Sequence, residues 1–151
     1  MANRIRSTFE WALAILGTLF SIWVVILFTQ SQLESFGYQW RDLLPFPMLY
    51  FLEVVAVSLL VLFAQWRMMH TPGGAWSALP WIGAGILLAF VILGALTIGP
   101  YLIPSMLSFL ILGIIGDIQR KRNSLAHFGG FILSAILQSA LFFLILILQA
   151  S

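Results

Sequence analysis

Charged side chains are scarce in this sequence, and cysteine is missing altogether. Only 8% of the 151 residues are Asp, Glu, Lys or Arg, whereas soluble domains carry about a quarter. So little charge excludes a chain that keeps its whole surface in water. The missing cysteine excludes disulfides, thiolate metal sites, a cysteine nucleophile and lipidation through a cysteine thiol.

Motifs that carry chemistry are also missing. The net charge is only +2, and no basic stretch is interleaved with aromatic residues that could follow a phosphate backbone, so nucleic acid is not expected as a partner. The sequence has no phosphate-cradling glycine loop, zinc-binding histidine motif or nucleophile elbow. His70 and His127 have no further ligands clustered nearby in the sequence. No catalytic residue, cofactor or metal site is therefore predicted.

Hydrophobic residues make up 62% of the chain, and they come in long runs. The runs are about twenty residues long, which is the length that a helix needs to cross about 30 Å of hydrocarbon. They do not alternate with polar residues as the strands of a membrane barrel would. Because backbone groups must be paired inside hydrocarbon, the sequence predicts an all-α, polytopic bundle of transmembrane helices in a lipid bilayer, with residues 1–151 as a single domain.

The first predicted span, residues 9–28, follows Arg4 and Arg6, which could mark the start of a signal peptide. We reject that interpretation because the run exceeds the usual apolar core of about 7–15 residues and no small-x-small cleavage site follows it. The span is expected to stay as a signal anchor. Residues 29–44 are predicted to form a short loop or an interfacial helix.

The number of spans depends on residues 75–116, which contain no ionisable side chain apart from Tyr101. This stretch is about twice as long as a single span and is best divided at residues 99–104, where a glycine and two prolines interrupt the helical ladder. Five spans are then predicted, and four are the alternative. The predicted spans are residues 9–28, 46–66, 79–98, 101–118 and 128–148.

The distribution of positive charge favours five spans and gives the orientation. A cytoplasmic N-terminus then leaves Arg41 as the only outside cation among the seven, in agreement with the tendency of Lys and Arg to stay inside. With four spans, residues 120–122 would lie outside. We therefore expect a multi-pass protein of the plasma membrane with a cytoplasmic N-terminus and an external C-terminus. The inside cations are Arg4, Arg6, Arg67, Arg120, Lys121 and Arg122.

Glu53 is the most informative polar residue, because it lies about 9 Å inside the outer end of the second span. A charged group near the centre of a transmembrane helix costs about 2.5–3.5 kcal/mol on insertion scales, so Glu53 needs a partner. One hypothesis is a carboxyl that binds a proton or cation in a transport path. The other is a structural carboxyl that is hydrogen-bonded to Ser, Thr or Tyr or paired with Arg41. Gln138, deep in the last span, also needs a hydrogen-bond partner.

A second candidate site consists of charged residues at the end of the fourth span. These residues could form a docking patch for a cytoplasmic partner or bind anionic lipid. Alternatively, they set the topology and contain a local Asp–Arg pair. The residues are Asp117, Arg120, Lys121 and Arg122.

Small residues in the third and fourth spans predict close packing between helices, because they let two backbones approach. Trp23 lies inside the first span, away from the interfaces that tryptophan prefers, and is expected to pack against other helices. The small residues are Gly83, Gly85, Gly94, Ser105, Ser108, Gly113 and Gly116.

Two segments resemble a family of short four-span proteins from Gram-positive bacteria that is known only as a domain of unknown function. The segments are residues 6–17 (RSTFEWALAILG) and residues 112–116 (LGIIG), which run on to the basic residues 120–122. The resemblance covers about residues 4–122 and implies a membrane protein. It transfers no site residues, and the fifth span departs from the family's four-span pattern.

These features lead to two hypotheses about function. The first is a non-enzymatic accessory or regulatory subunit that binds another membrane component through its helix faces. The second is a small proton- or cation-coupled transporter or channel that uses Glu53. In the second case we expect a homo-oligomer, because five short helices with one acid can hardly enclose a polar path alone.

Overall fold

The computed structural model describes residues 2–36, 48–70, 75–95, 97–122 and 124–150, with the side chains of 7–34 in the first segment and 124–148 in the last. All the regular structure in these ranges is helical. The helices are α1 (Ala2–Phe36), α2 (Met48–His70), α3 (Leu79–Leu93), α4 (Gly99–Arg120) and α5 (Ser124–Ala150), with a short 3-10 helix (Ala75–Ala78) before α3.

Five helical stretches are long and apolar enough to cross a membrane, and the third of them consists of α3 together with the short 3-10 helix before it. The prediction of an all-α bundle with five spans is thereby confirmed, and the chain is an integral membrane protein. The membrane-spanning stretches are Ser7–Glu34, Met48–His70, Ala75–Leu93, Gly99–Arg120 and Ser124–Leu148.

Helix α1 continues beyond the predicted end of its apolar run at residue 28 and reaches Phe36. Residues 29–36 contain neither glycine nor proline, so nothing in them interrupts the helix. The hydroxyl of Thr29 donates to the Val25 carbonyl at 2.8 Å, inside the same helix. The first part of the predicted polar segment is therefore helical, whereas residues 37–44, with Arg41, lie outside the described residues.

The turn between α3 and α4 comes before the predicted break at residues 99–104. Helix α3 ends at Leu93, and the amide of Gly99 donates to the Gly94 carbonyl at 2.8 Å across the turn. A Cβ at Gly94 would lie 2.8 Å from the Phe90 carbonyl oxygen, so this turn favours glycine. Pro100 occupies the first turn of α4, where its missing N–H is not needed, and Pro104 removes a single ladder bond further along.

Helices α1 to α4 form a closed ring, with α5 on its outside. In the ring α1 packs against α2 and α4, and α3 packs against the same two helices. Helix α5 packs mainly against α3 and has little contact with α4. Apolar side chains fill the interior of the ring, among them Val54, Phe90, Leu102, Phe109 and Leu112. We call α1 to α4 the four-helix ring.

Three of the predicted small residues lie where helices come closest. A Cβ at Gly83 would meet the Val61 side chain of α2 at 2.6 Å, and one at Gly113 would meet the Trp81 indole at 2.8 Å. A Cβ at Gly85 would overlap the backbone of Phe131 in α5. Small side chains therefore set the spacing between α3 and its neighbours, as the sequence predicts.

Candidate functional site

Polar side chains lie at both ends of the bundle. At one end α1, α3 and α5 begin while α2 and α4 finish; we call this the Glu10 end. At the opposite end α3 turns into α4, and we call it the Tyr101 end. At the Glu10 end the polar side chains bond to one another, whereas at the Tyr101 end several of them line a pocket.

Glu10 is the centre of a buried polar cluster at the Glu10 end. Its Oε2 accepts a hydrogen bond from the Gln65 amide at 2.8 Å and one from the Arg120 guanidinium at 2.9 Å. Glu10 is only 3% exposed and Gln65 is fully buried. A buried carboxylate has to be paired and hydrogen-bonded, and Oε2 meets that requirement through these two donors, whereas Oε1 of Glu10 accepts no hydrogen bond from the described residues. The cluster ties α1, α2 and α4 together.

Asp117 forms a second cluster at the same end. Both of its carboxylate oxygens lie 2.8 Å from Nδ1 of His127, and Oδ2 also accepts from the Trp81 indole at 3.0 Å. Asp117 is 1% exposed. Since Nδ1 has to carry the proton in this contact, Nε2 is the acceptor of the neutral ring. This cluster ties α3, α4 and α5 together, and the space beside Gly113 lets the indole reach it.

The four residues of the predicted docking patch do not share one surface. Asp117 and Arg120 point into the bundle, and Asp117 pairs with His127 and Trp81 where an arginine was the expected partner. Arg122 donates to the hydroxyl of Ser77. Lys121 alone among the four is exposed, and its left-handed backbone (φ 49°) ends α4.

Glu53 and Gln138 are brought together near the Tyr101 end. The two side chains form a hydrogen bond between α2 and α5. A small cavity of about 50 Å³ adjoins both residues as well as Tyr50 and Phe142. Glu53 is half-buried and lies at the α2–α5 contact, outside the apolar interior of the four-helix ring. Arg41, the other expected partner, lies outside the described residues.

A larger pocket opens between the helices at the Tyr101 end. Its volume is about 600 Å³. All five helices contribute to its lining, and so does the turn between α3 and α4. Most of that lining is aromatic or aliphatic. The lining residues are Phe28, Gln32, Tyr50, Phe51, Leu93, Gly94, Thr97, Ile98, Tyr101 and Phe142.

The histidines of the described residues are engaged in local contacts. Nδ1 of His70 lies 2.9 Å from the Trp66 carbonyl of its own helix, and His127 contacts Asp117. Within the ranges that the structure describes, no three His, Asp or Glu side chains come close enough together to hold a metal ion.

The Glu10 cluster is not among the predictions from the sequence, although the chain carries a signal for it. Glu10 falls inside the first apolar run, so it needs a partner at the same depth in the membrane. Gln65 lies near the last turn of α2, which runs antiparallel to α1 and so returns to the level of Glu10, and Arg120 is the last residue of α4. Equal depth at one end of the bundle would have suggested these two partners.

Comparison with protein-family models, curated proteins and solved structures finds no match for this chain. The resemblance of residues 4–122 to a four-span family therefore stays a prediction. What the fold defines is an integral membrane protein with a four-helix ring and one added helix.

Proposed function

We propose that this protein is a non-enzymatic accessory protein that binds a transmembrane helix of another membrane protein through the outward face of α1. Four large side chains shape this face, and a shallow depression of about 340 Å³ lies between them. We call them the α1 face: Leu16, Leu19, Phe20 and Trp23.

Trp23 is the observation that carries the proposal. Its side chain is 52% exposed, so it does not pack in the interior as the sequence suggested. The ring stands edge-to-face on Phe20, with 6.3 Å between the ring centres. Trp23 precedes Phe28, the end of the apolar run, by five residues or about 8 Å, and helical side chains lean back toward the N-terminus. The indole therefore reaches into hydrocarbon.

The indole N–H of Trp23 forms no hydrogen bond with the part of the chain that the structure describes. An unpaired donor in hydrocarbon is costly, which is why tryptophan is concentrated at membrane interfaces. A partner helix with a hydroxyl or carbonyl acceptor would satisfy the N–H while it filled the depression. Tryptophan is also enriched among the residues that contribute most to binding.

The polar contacts at the Glu10 end favour a binding function over a catalytic one. Glu10 and Asp117 each accept hydrogen bonds from two other residues of the chain. Polar contacts of this kind hold the helices in fixed positions. Because α1 is held in this way, the side chains of the α1 face keep a fixed arrangement that a partner helix can bind.

Site-specific photocrosslinking in native membranes tests the proposal. A photoreactive amino acid at Trp23 should give one discrete protein adduct, because a partner helix lies against it. Phe143 of α5, which is similarly exposed at 55%, provides the matched control and should give lipid adducts only. Lipid adducts at both positions would reject the proposal. An adduct of twice the chain's mass would replace the accessory role with self-association.

A second candidate function, a small oligomeric proton- or cation-coupled transporter, is favoured by the half-buried carboxyl of Glu53 within the second span, beside Gln138 and a cavity of about 50 Å³. The pair lies at the edge of the four-helix ring, where a second copy of the chain could complete a polar path. If this function is correct, Glu53→Gln will abolish flux in proteoliposomes, while Glu34→Gln, an exposed acid beyond the apolar run of α1, will not. Unchanged flux in Glu53→Gln would remove this residue from the mechanism.

A further inference from the structure

The pocket at the Tyr101 end has fixed aromatic walls. Phe28 of α1 meets Tyr101 of α4 edge-to-face at 5.4 Å. Tyr50 of α2 stands between Phe90 at 4.4 Å and Phe142 of α5 at 5.5 Å. Ring pairs between different helices hold the wall in one arrangement.

The size and position of the pocket are those of a small-molecule site. Ligand pockets usually measure about 300–1,000 Å³, are mostly apolar with a few polar groups, and often lie between the helices of bundles. This one measures about 600 Å³ and lies between the helices. Its size and apolar lining suit part of a lipid-sized molecule.

Besides the two tyrosine hydroxyls of the wall, the pocket has two polar side chains, Gln32 and Thr97. Gln32 follows Phe28 by one helical turn, about 6 Å nearer to the end of the bundle. Thr97 lies in the turn between α3 and α4, where its hydroxyl is 3.3 Å from the Gly94 carbonyl. An amphiphile would therefore find hydrogen-bonding groups at headgroup level and apolar surface below them.

We infer that this pocket binds a neutral lipid, with a hydrocarbon chain against the aromatic wall and a hydroxyl or carbonyl headgroup at Gln32 and Thr97. None of the described residues that line the pocket carries a charge, so a neutral headgroup matches it better than a phosphate does. The inference is independent of the proposed partner protein, because the pocket and the α1 face share no residue.

Photolabelling of the purified full chain in nanodiscs tests this inference. The probe is a diacylglycerol with a photoreactive group in one acyl chain, and its counterpart is phosphatidylglycerol with the same chains. We expect diacylglycerol to label peptides that contain Phe28 or Tyr101. Phosphatidylglycerol should label these peptides several-fold less, because the pocket offers its phosphate no cation among the described residues.

Two glutamines of α1 provide a matched pair of variants. Gln32 lines the pocket, whereas Gln30 is exposed and does not line it. Gln32→Leu should lower diacylglycerol labelling about five-fold, as expected for the loss of one hydrogen bond. Gln30→Leu should leave it unchanged. Neither side chain is buried, so both variants are expected to fold.

Three outcomes would overturn the inference. Equal labelling by the two lipids would show that the pocket does not select a neutral headgroup. Label spread over outward-facing residues away from the pocket, such as Ile132 and Leu133 of α5, would show general contact with the bilayer. Equal labelling of Gln32→Leu and Gln30→Leu would show that no headgroup binds at Gln32.

Discussion

Glu10 and Asp117 are acidic residues that are almost completely buried at one end of a membrane bundle. Each is tolerated because it has two partners on other helices. Removing one partner of a buried ion pair destabilises a protein more than the pair itself stabilises it, since the other charge is left without compensation. The two clusters are therefore the points where single substitutions should matter most.

Glu10→Gln should destabilise the bundle by about 1–3 kcal/mol, because Arg120 keeps its charge and loses its carboxylate. A lower melting temperature in mild detergent would measure the effect. Glu34→Gln, in the exposed part of the same helix, should leave the melting temperature unchanged.

A double variant separates lost pairing from general damage. Glu10→Gln combined with Arg120→Met removes both charges, so it should cost less than the sum of the two single substitutions. Additive losses would contradict a direct interaction between Glu10 and Arg120.

Helices were predictable as elements because each apolar run is long enough to span a membrane. Their ends were harder to place. Residues 29–36 are polar, which suggests a loop, but they contain no residue that breaks a helix. Two prolines in residues 99–104 suggest a break, yet both are accommodated near the start of α4, and the turn forms at Gly94. Predictions of helix ends from polarity and proline content are therefore wrong by several residues in this chain.

The pairing of side chains across helices was less predictable than the helices themselves. The sequence singled out Glu53 and Gln138 because each is polar within an apolar run, but it did not connect them. Spans that are apolar on every side carry little information about which face meets which neighbour. For the same reason Trp23 was expected in the interior but lies on the outside. Asp117 was likewise expected to pair with an arginine but pairs with His127.

The close approach of α3 to α5 requires a glycine at position 85, and a pair of identical substitutions tests this requirement. Gly85→Ala would place a methyl group against the Phe131 backbone and should destabilise the protein by about 1–3 kcal/mol. In α5 a Cβ at Gly129 would meet nothing within 4 Å. Gly129→Ala should therefore be neutral or stabilising by up to about 1 kcal/mol, because alanine favours helix.

Thermal unfolding in detergent compares the two variants directly. A protease that cuts between α4 and α5 provides a local measurement, since a loosened α5 should expose this connection in Gly85→Ala first. Equal stability of Gly85→Ala and Gly129→Ala would show that α3 and α5 are not in close contact.

The whole molecule combines a four-helix ring with a fifth helix that joins it through α3. Because α1, α3 and α5 run in the same direction, α1 begins and α5 ends at opposite ends of the bundle. The predicted orientation rests on the positive charges, because α1, α3 and α5 begin at the end that carries Arg67, Arg120, Lys121 and Arg122.

Single cysteines introduced into this cysteine-free chain test the orientation. With a membrane-impermeant thiol reagent, Ser35→Cys and Ser151→Cys should label on intact cells, and Ser124→Cys only after permeabilisation. Ser151 lies outside the described residues, and Ser124 begins α5. Labelling of Ser124→Cys together with Ser35→Cys on intact cells would contradict five spans in this orientation.

The Glu10 cluster also has a consequence for synthesis of the chain. Glu10 enters the membrane with the first helix, but Gln65 follows 55 residues later and Arg120 only after 110. At about 5–20 residues per second, the carboxylate waits about 5–20 seconds for its cation. In the second half of that interval Gln65 is its sole partner from this cluster, so α1 and α2 are expected to meet as a pair before the ring closes. Biogenesis of this protein is thus ordered by the distance along the chain between an acid and its base.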